Sequence, residues 1–340
     1  MMATEQFNDQ NSIEPVQNTT QLNKSTLLIS AIALSVISVC GLVGNMIVLI
    51  LFPKIRPKKP NFAKIHFQLL WHVALASLFN CTLAVPMLIL DVLLEEDQHY
   101  IPCIIYKITT VGCTSVVCFC FTMLAFERLL AADFIKRLHY YARSHEKRFN
   151  NNRFILAALW ICTWSIQSIS LARMHYPSHY LPCYHIVNVR NHKINQTILA
   201  IVRKLDIASI IWENFHFWIA AVTTILSFIL VTRKISTHIS SAASLHLQDN
   251  DKFAKMTSEM RKVGFTLVVI FLISFTPLTI IELEDLCGRE RHPDIRLITM
   301  ALTDISSAIN PIIYFVMYQR FRQAIKALLT SFMNSCFGRK

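Results

Sequence analysis

Seven long stretches without charge, the last broken only by Asp304, divide this chain of 340 residues. They lie between residues 24 and 54, 64 and 91, 107 and 127, 153 and 173, 213 and 233, 262 and 282, and 296 and 320. Each has the roughly 20 residues that a helix needs to cross the hydrocarbon core of a bilayer. Because lipid offers the backbone no hydrogen-bond partners, each stretch must close its hydrogen bonds within a helix. The pattern predicts an all-α membrane protein, a bundle of seven transmembrane helices.

Charge alternates from one connecting segment to the next. The chain has a net charge of +12, and only 16% of its residues are charged. Loop 53–64 and the tail from Arg320 contain bases and no acid, whereas loop 91–106 contains four acids and no base. Basic segments stay in the cytoplasm, which predicts an extracellular N-terminus and a cytoplasmic C-terminus in the plasma membrane. The basic excess then reflects topology and attraction to anionic membrane lipid, and does not indicate nucleic acid as a partner.

Two features agree with this orientation. The polar segment 1–25 lacks the pattern of a signal peptide, so we expect the first helix to insert the chain and this tail to be extracellular. Three glycosylation sequons lie in segments predicted to be outside and begin at Asn18, Asn23 and Asn195, whereas a fourth, at Asn80, lies within the second helix.

Three of the ten cysteines, Cys103, Cys183 and Cys287, are predicted to be extracellular. In an oxidising space we expect Cys103 and Cys183 to form a disulfide. Cys287 is then left without an evident partner.

Short motifs narrow the class of membrane protein. Gly44-Asn45 lies in the first stretch, the third runs from Cys103 to Glu127-Arg128, and the fourth contains Trp160. Phe275-Thr276-Pro277 lies in the sixth, and the seventh ends with Asn310-Pro311-Ile312-Ile313-Tyr314. In this order, the set resembles the rhodopsin-like (class A) G-protein-coupled receptors over about residues 26 to 332. The resemblance implies a bundle over 26–317, an amphipathic eighth helix over 318–332 on the membrane surface, and a cytoplasmic tail over 333–340.

The pair Glu127-Arg128 has two interpretations. It can be an interfacial pair of charges that ends a helix, or an ion pair set deep in the membrane. The resemblance favours an activation switch in which the acid holds the arginine until the sixth helix swings outward and a heterotrimeric G protein binds. It also implies that Asn310, Pro311 and Tyr314 form a pivot, that Pro277 allows the swing, and that Cys336 is a candidate for palmitoylation, although a free cytoplasmic thiol is equally consistent.

Several positions depart from the family. Ser77 stands where the family usually has a sodium-binding Asp, and Leu129 stands where Tyr follows the arginine. Phe275 replaces a typical Trp, and the fifth helix has Ala220 for its usual Pro and Phe228 for its Tyr. The resemblance therefore indicates a divergent member in which modulation by sodium is in doubt.

The ligand site is predicted from position and charge. By alignment with the family, the cavity is bordered by two uncharged residues, one base and three acids: Thr110, Phe275, Lys107, Glu213, Glu282 and Asp304. A carboxylate in mid-bilayer costs several kcal/mol unless it is paired, hydrated or protonated. We expect an acidic pocket that binds a cationic group of a peptide or an amine; the alternative is internal pairing with Lys107, Arg203 or Lys204.

Thr110 replaces the Asp of monoamine receptors, and the seventh helix has no Lys for retinal. The long charged segment 173–213 favours an extracellular peptide, with a small chemosensory ligand as the runner-up. Of the other classes, a transporter or channel would need more polar residues than Asp304 and Glu213. A metal hydrolase would need a His/Asp cluster, and His66, His72 and His216 fall at different depths. We therefore predict a receptor that is not an enzyme and has neither a metal site nor a cofactor.

Overall fold

The computed structural model describes residues 24–55, 61–93, 100–134, 248–287 and 293–337, with parts of 156–165 and of 211–233. Within these residues every regular element is helical. The elements are α1 (Lys24–Ile55), α2 (Asn61–Phe79), a π-helical turn (Asn80–Ala84), α3 (Val85–Leu93), α4 (Tyr100–Phe134), α5 (Leu156–Ser165), α6 (Phe217–Ser227), α7 (Gln248–Leu286), α8 (Pro293–Met317) and α9 (Gln319–Phe337).

Five of the predicted stretches form helices that are long and apolar enough to cross a membrane. Their bounds are Lys24–Ile55, Lys64–Leu93, Ile101–Glu127, Ser258–Glu284 and Asp294–Met317, where the second combines α2, the π-turn and α3. The fourth and fifth stretches contain only the short apolar helices α5 and α6 among the described residues. The all-helical class and five spans are thus confirmed, and the complete seven-helix bundle stays a prediction.

The helices extend beyond the charge-free stretches. Residues 91–106 were expected to form a loop, but α3 continues to Leu93 and α4 begins at Tyr100. Asp91 therefore lies inside α3, where its side chain is fully buried. Charge counting sets the end of a helix at the first charged residue, whereas a helix can carry charges in its last turns.

Two apolar clusters show that the long helices run up and down. One joins the beginnings of α1, α4 and α8 to α3, through residues such as Leu34, Leu88, Tyr106 and Leu297. The other extends to the opposite ends of these helices and includes Phe52, Phe67, Leu124, Met260 and Tyr318. We name the two ends of the bundle the Cys103 end and the Tyr318 end. The predicted topology makes the Cys103 end extracellular.

The contacts between elements place α8 and α2 at the centre of the described bundle. Helix α8 packs between α1 and α7, and α2 packs between α1 and α4. Helix α5 packs on α2 and α4 through its two tryptophans, and α6 packs on α7 through Phe217. Side chains of α2 and α8 can therefore meet along the middle of the bundle.

The π-turn has a local cause. Pro86 has no N–H, so it leaves a carbonyl of the preceding turn without its partner. In a π-helix the donor is five residues on, and the Val85 N–H bonds the Asn80 carbonyl in this way. The Cys81 carbonyl, five residues before Pro86, accepts instead a hydrogen bond of 2.8 Å from the Ser38 hydroxyl. The turn gives Asn80 its place in the core of the bundle, where it is 5% exposed.

Helix α9 contains most of the segment 318–332 that the sequence predicted to be amphipathic. Phe321 is buried against α1, whereas the apolar residues Leu328, Leu329, Phe332 and Met333 are exposed. The Arg322 guanidinium donates to the carbonyls of Phe315 and Val316, which are among the last of α8. Helix α9 is therefore attached through its first two turns, where Ala324 and Ile325 also pack on the core, and its apolar residues from Leu328 onward are uncovered.

Candidate functional site

The predicted switch lies at the Tyr318 end of α4. Glu127 is 7% exposed, and its Oε2 is 4.0 Å from Nδ1 of His66 on α2. The other ring nitrogen of His66, Nε2, is 2.5 Å from the Tyr318 hydroxyl. Arg128 lies in α4, but its side chain is outside the described part of the molecule. The acid of the pair is therefore buried and adjoins a histidine from another helix.

Aromatic rings surround this contact. The ring centroid of Tyr318 lies 5.4 Å from that of Phe67 on α2 and 6.5 Å from that of Phe52 on α1. Tyr314 is fully buried, with its ring 5.0 Å from Phe52. The end of α8 thus packs into an aromatic cluster that α1 and α2 provide, and a movement of Tyr314 or Tyr318 must disturb that packing.

The predicted pivot residue Asn310 contacts α2. Its side-chain amide donates a 3.0 Å hydrogen bond to the Ser77 hydroxyl, and both residues are buried. Nearby, the Asn45 amide of α1 donates to the Gly41 and Ser307 carbonyls at 2.8 and 2.9 Å. Ser77 therefore takes part in the polar packing of α8 even though it lacks the carboxylate that the family usually has there.

A pocket lies between α2, the π-turn, α4, α7 and α8. One side is polar and the other is aromatic and apolar; the polar residues are Ser77, Asn80, Thr114, Ser306, Ser307 and Asn310. Phe275 lines the apolar side and is buried in a stack of rings, 4.3 Å from Phe271 and 6.1 Å from Phe217. Phe275, a predicted ligand residue, therefore connects α7 to α6 within the bundle.

Asp304 belongs to a buried polar network nearer the Cys103 end. It is fully buried, accepts a 2.8 Å hydrogen bond from the Asn80 amide, and lies 3.4 Å from the Tyr106 hydroxyl. The Thr110 hydroxyl donates to the side-chain Oδ1 of Asn80 at 3.3 Å. Among the described residues, the partners of Asp304 are therefore neutral side chains of the π-turn and α4. Arg203 and Lys204, which were expected as alternative partners, lie outside those residues.

The other predicted ligand residues are less enclosed. Glu282 on α7 is partly buried and accepts a 3.4 Å hydrogen bond from the Asn214 amide. Lys107 on α4 is also partly buried, one residue after Tyr106. Pro277 lies within α7, and next to it the Thr303 hydroxyl of α8 donates to the Ser274 carbonyl at 3.4 Å. The structure thus places Asp304 and Thr110 in one network of hydrogen bonds through Asn80.

Several predicted residues cannot be placed. The backbone of Cys336 lies in α9, but its side chain is outside the described residues, as are Cys183, Glu213 and the glycosylation candidates Asn18, Asn23 and Asn195. Cys103 is buried and is not a free thiol, but its pairing with Cys183 stays a prediction. Among the described residues, Cys287 is an exposed free thiol.

Sequence reasoning missed Asn80, Tyr106 and Tyr318. Asn80 was considered only as a glycosylation sequon, and no motif contains Tyr106 or Tyr318. The available signal was the presence of polar side chains within apolar stretches, because such groups are buried only where they find partners. The sequence does not say which of them meet.

Comparison with known proteins agrees with the class. No family model matches the chain. Over an alignment of 366 positions it is 20% identical to "G-protein coupled receptor moody" of Drosophila melanogaster, covering 93% of this chain. The chain spans about half, 53%, of that relative's length. This similarity and the apolar helices support a multi-pass membrane protein related to G-protein-coupled receptors.

Proposed function

We propose that the chain is a divergent rhodopsin-like G-protein-coupled receptor of the plasma membrane. An extracellular ligand, a peptide or another cationic molecule, binds at the Cys103 end. A heterotrimeric G protein binds at the Tyr318 end. In this proposal the chain has seven transmembrane helices, an extracellular N-terminus, and α9 lying on the cytoplasmic membrane surface as the eighth helix. It acts as a receptor and catalyses no reaction.

The observation that carries the proposal is the burial of Glu127. An acid that merely ends a helix at the membrane interface would remain in water, since removing a carboxylate from water is unfavourable. Glu127 instead is 7% exposed, and α4 continues past it to Phe134. Glu127 directly precedes Arg128 in the sequence, and its burial beside His66 favours the switch over the interfacial pair.

The contacts of α8 support a pivot at Asn310. Pro311 cannot donate a backbone hydrogen bond, so the helix is weakened at this point. The Asn310 amide and the Tyr314 ring meanwhile contact other helices directly. A change in α8 at Asn310 and Pro311 would therefore reach α2 through Ser77 and α1 through Phe52.

The test is G-protein dissociation in cells, both basal and in the presence of a peptide library. Wild type and Arg128→Ala are compared at matched surface expression. We expect a wild-type signal that the substitution abolishes. A signal that Arg128→Ala leaves unchanged would mean that the pair has no role in activation and would contradict the proposal. Ion currents without a G protein would favour the transporter or channel class.

The acids Glu282 and Asp304 have different roles in the proposed ligand site. In this proposal Glu282, which is only partly buried, contacts the cationic group, while Asp304 shapes the cavity by holding Asn80 and Tyr106. Once an agonist is found, Asp304→Asn and Glu282→Gln should each lower its potency far more than surface expression. Equal loss of potency and expression would show that the acids serve folding. An agonist without a positive charge would favour the small-molecule chemosensory alternative.

A further inference from the structure

His66 is a buried, titratable side chain that no motif includes. It lies in the first turns of α2, and its side chain is 1% exposed. One ring nitrogen faces the acid of the proposed switch on α4, and the other faces Tyr318, at the junction of α8 and α9. His66 therefore stands between the two elements, Glu127-Arg128 and Asn310-Pro311-x-x-Tyr314, that the proposed function moves.

The tautomer of the ring follows from its neighbours. If Nε2 carried the hydrogen, Nδ1 would present a lone pair to the Glu127 carboxylate. If instead Nε2 accepts from the Tyr318 hydroxyl, Nδ1 carries the hydrogen and directs it at Glu127. The second arrangement gives the Tyr318 O–H an acceptor and turns the Nδ1–H toward the Glu127 carboxylate, from which it is separated by more than a hydrogen-bond length.

The two contacts differ in length. The Tyr318 contact is 2.5 Å, whereas Nδ1 and Oε2 are 4.0 Å apart, the outer limit of an ion-pair contact. The position of the imidazole therefore decides how closely its Nδ1–H approaches Glu127. Tyr318 sets the position of the imidazole, since it also packs against Phe67 on the same helix.

We propose that Tyr318, His66 and Glu127 form a latch that holds the resting state by coupling the end of α8 to the acid of the switch. This proposal rests on the proposed function. In it, His66 and Tyr318 are positioning residues: they orient Glu127, which in turn holds Arg128. When α8 rearranges at Tyr314, Tyr318 moves and His66 loses the hydrogen bond that its Nε2 accepts from the Tyr318 hydroxyl. Glu127 then holds Arg128 less firmly.

The test is a double-mutant cycle read by basal signalling per receptor at the cell surface. Tyr318→Phe removes the hydroxyl and keeps the ring that packs on Phe67 and Phe52. Glu127→Gln keeps the shape of the acid and removes its charge. Loss of one net hydrogen bond corresponds to about a fivefold rise in the ratio of active to resting receptor. We expect a rise of that order from each variant, and the double variant should not exceed the larger single effect.

The control compares two histidines on the same span. His66→Gln should raise basal signalling as Tyr318→Phe does. His72→Gln should not, because His72 contacts Trp160 on α5 and lies away from both elements of the switch. A purely structural role for His66 would lower surface expression and signal together. A rise in signal per surface receptor therefore separates the latch from a folding effect.

A second readout does not depend on G proteins. In purified protein, Tyr318→Phe should speed amide hydrogen exchange at the end of α4 around Glu127, across His66. Faster exchange without signalling in any variant would support the latch and contradict G-protein coupling. A wild-type signal that requires Arg128 but is unchanged by Tyr318→Phe and His66→Gln would overturn the latch and leave the function standing. Additive effects in the cycle would also overturn it.

Discussion

Gly44 is where α1 comes closest to the proline of α8. A Cβ at this position would lie 2.8 and 2.9 Å from two ring carbons of Pro311. The ring is fixed to the backbone and cannot rotate away, so Gly44→Ala forces α1 and α8 apart by several tenths of an ångström. Small residues allow such close approach between membrane helices, where contact between backbones contributes much of the attraction.

Gly112 provides a matched control. A Cβ there would meet the Trp164 ring of α5 at 3.4 Å, an ordinary contact distance. Both glycines lie within helices, so both substitutions gain about 1 kcal/mol from reduced backbone entropy. Their difference therefore isolates the overpacking at Gly44, about 1–3 kcal/mol. Because 1 kcal/mol shifts the thermal unfolding midpoint by about 2–4 °C, the midpoint of Gly44→Ala should lie roughly 2–12 °C below that of Gly112→Ala.

The assay is thermal unfolding of the two variants and wild type, purified in the same detergent and followed by the reactivity of buried cysteines. Cys81, Cys113, Cys118 and Cys120 are buried and free, so they become reactive only when the bundle opens. Equal midpoints for Gly44→Ala and Gly112→Ala would refute the reasoning, because they would mean that α1 does not approach Pro311 as closely as the structure has it.

Three further predictions concern single contacts and the topology. Ser77→Ala leaves the buried side-chain amide of Asn310 without its hydrogen-bond partner and should lower the free energy of unfolding by about 1–3 kcal/mol. The measurement is the thermal unfolding midpoint, compared with that of Ser77→Thr, which keeps a hydroxyl. Trp160→Phe removes the 3.2 Å hydrogen bond to Nδ1 of His72 but keeps an aromatic ring on α5, and should cost about 0.5–1.5 kcal/mol in the same assay; no change would mean that the bond contributes nothing. Cys287, exposed at the Cys103 end, should react with a membrane-impermeant maleimide in intact cells. Labelling that persists in Cys287→Ser, or that appears only after permeabilisation, would contradict the assignment of this end or the predicted orientation.

The positions of the long helices could be predicted from the sequence because absence of charge over about 20 residues is sufficient for a membrane span. Their ends could not. Asp91 marked a helix end in the charge pattern, yet it is buried within α3. The π-turn was also missed, since Pro86 indicates a disturbed helix but does not say whether a kink or a wider turn results.

The candidate site was predicted residue by residue but not contact by contact. The motifs singled out Glu127 and Asn310, whereas their partners His66 and Ser77 depend on how the helices are rotated about their axes. Asn310 and Ser77 are 233 residues apart, and His66 and Tyr318 are 252 apart. Residues so distant in sequence meet only through the packing of the whole bundle, and one sequence holds no information on that pairing beyond the polarity of each side chain.

Polar contacts at three heights join α8, and Tyr318 directly after it, to the span that contains α2. From the Cys103 end to the Tyr318 end they are Asp304 and Ser307 with Asn80, Asn310 with Ser77, and Tyr318 with His66. The residue numbers rise on α8 as they fall on its partner, so the two helices are antiparallel. In lipid, polar contacts of this kind set the register of packed helices, since the surroundings are as apolar as the side chains. Sliding α8 along its partner would break the contacts at all three heights, whereas bending α8 at Pro311 would release the contact of Tyr318 and leave those of Asn80 in place. The arrangement therefore resists a shift of the whole helix and concentrates freedom of movement at the end where the G protein is proposed to bind.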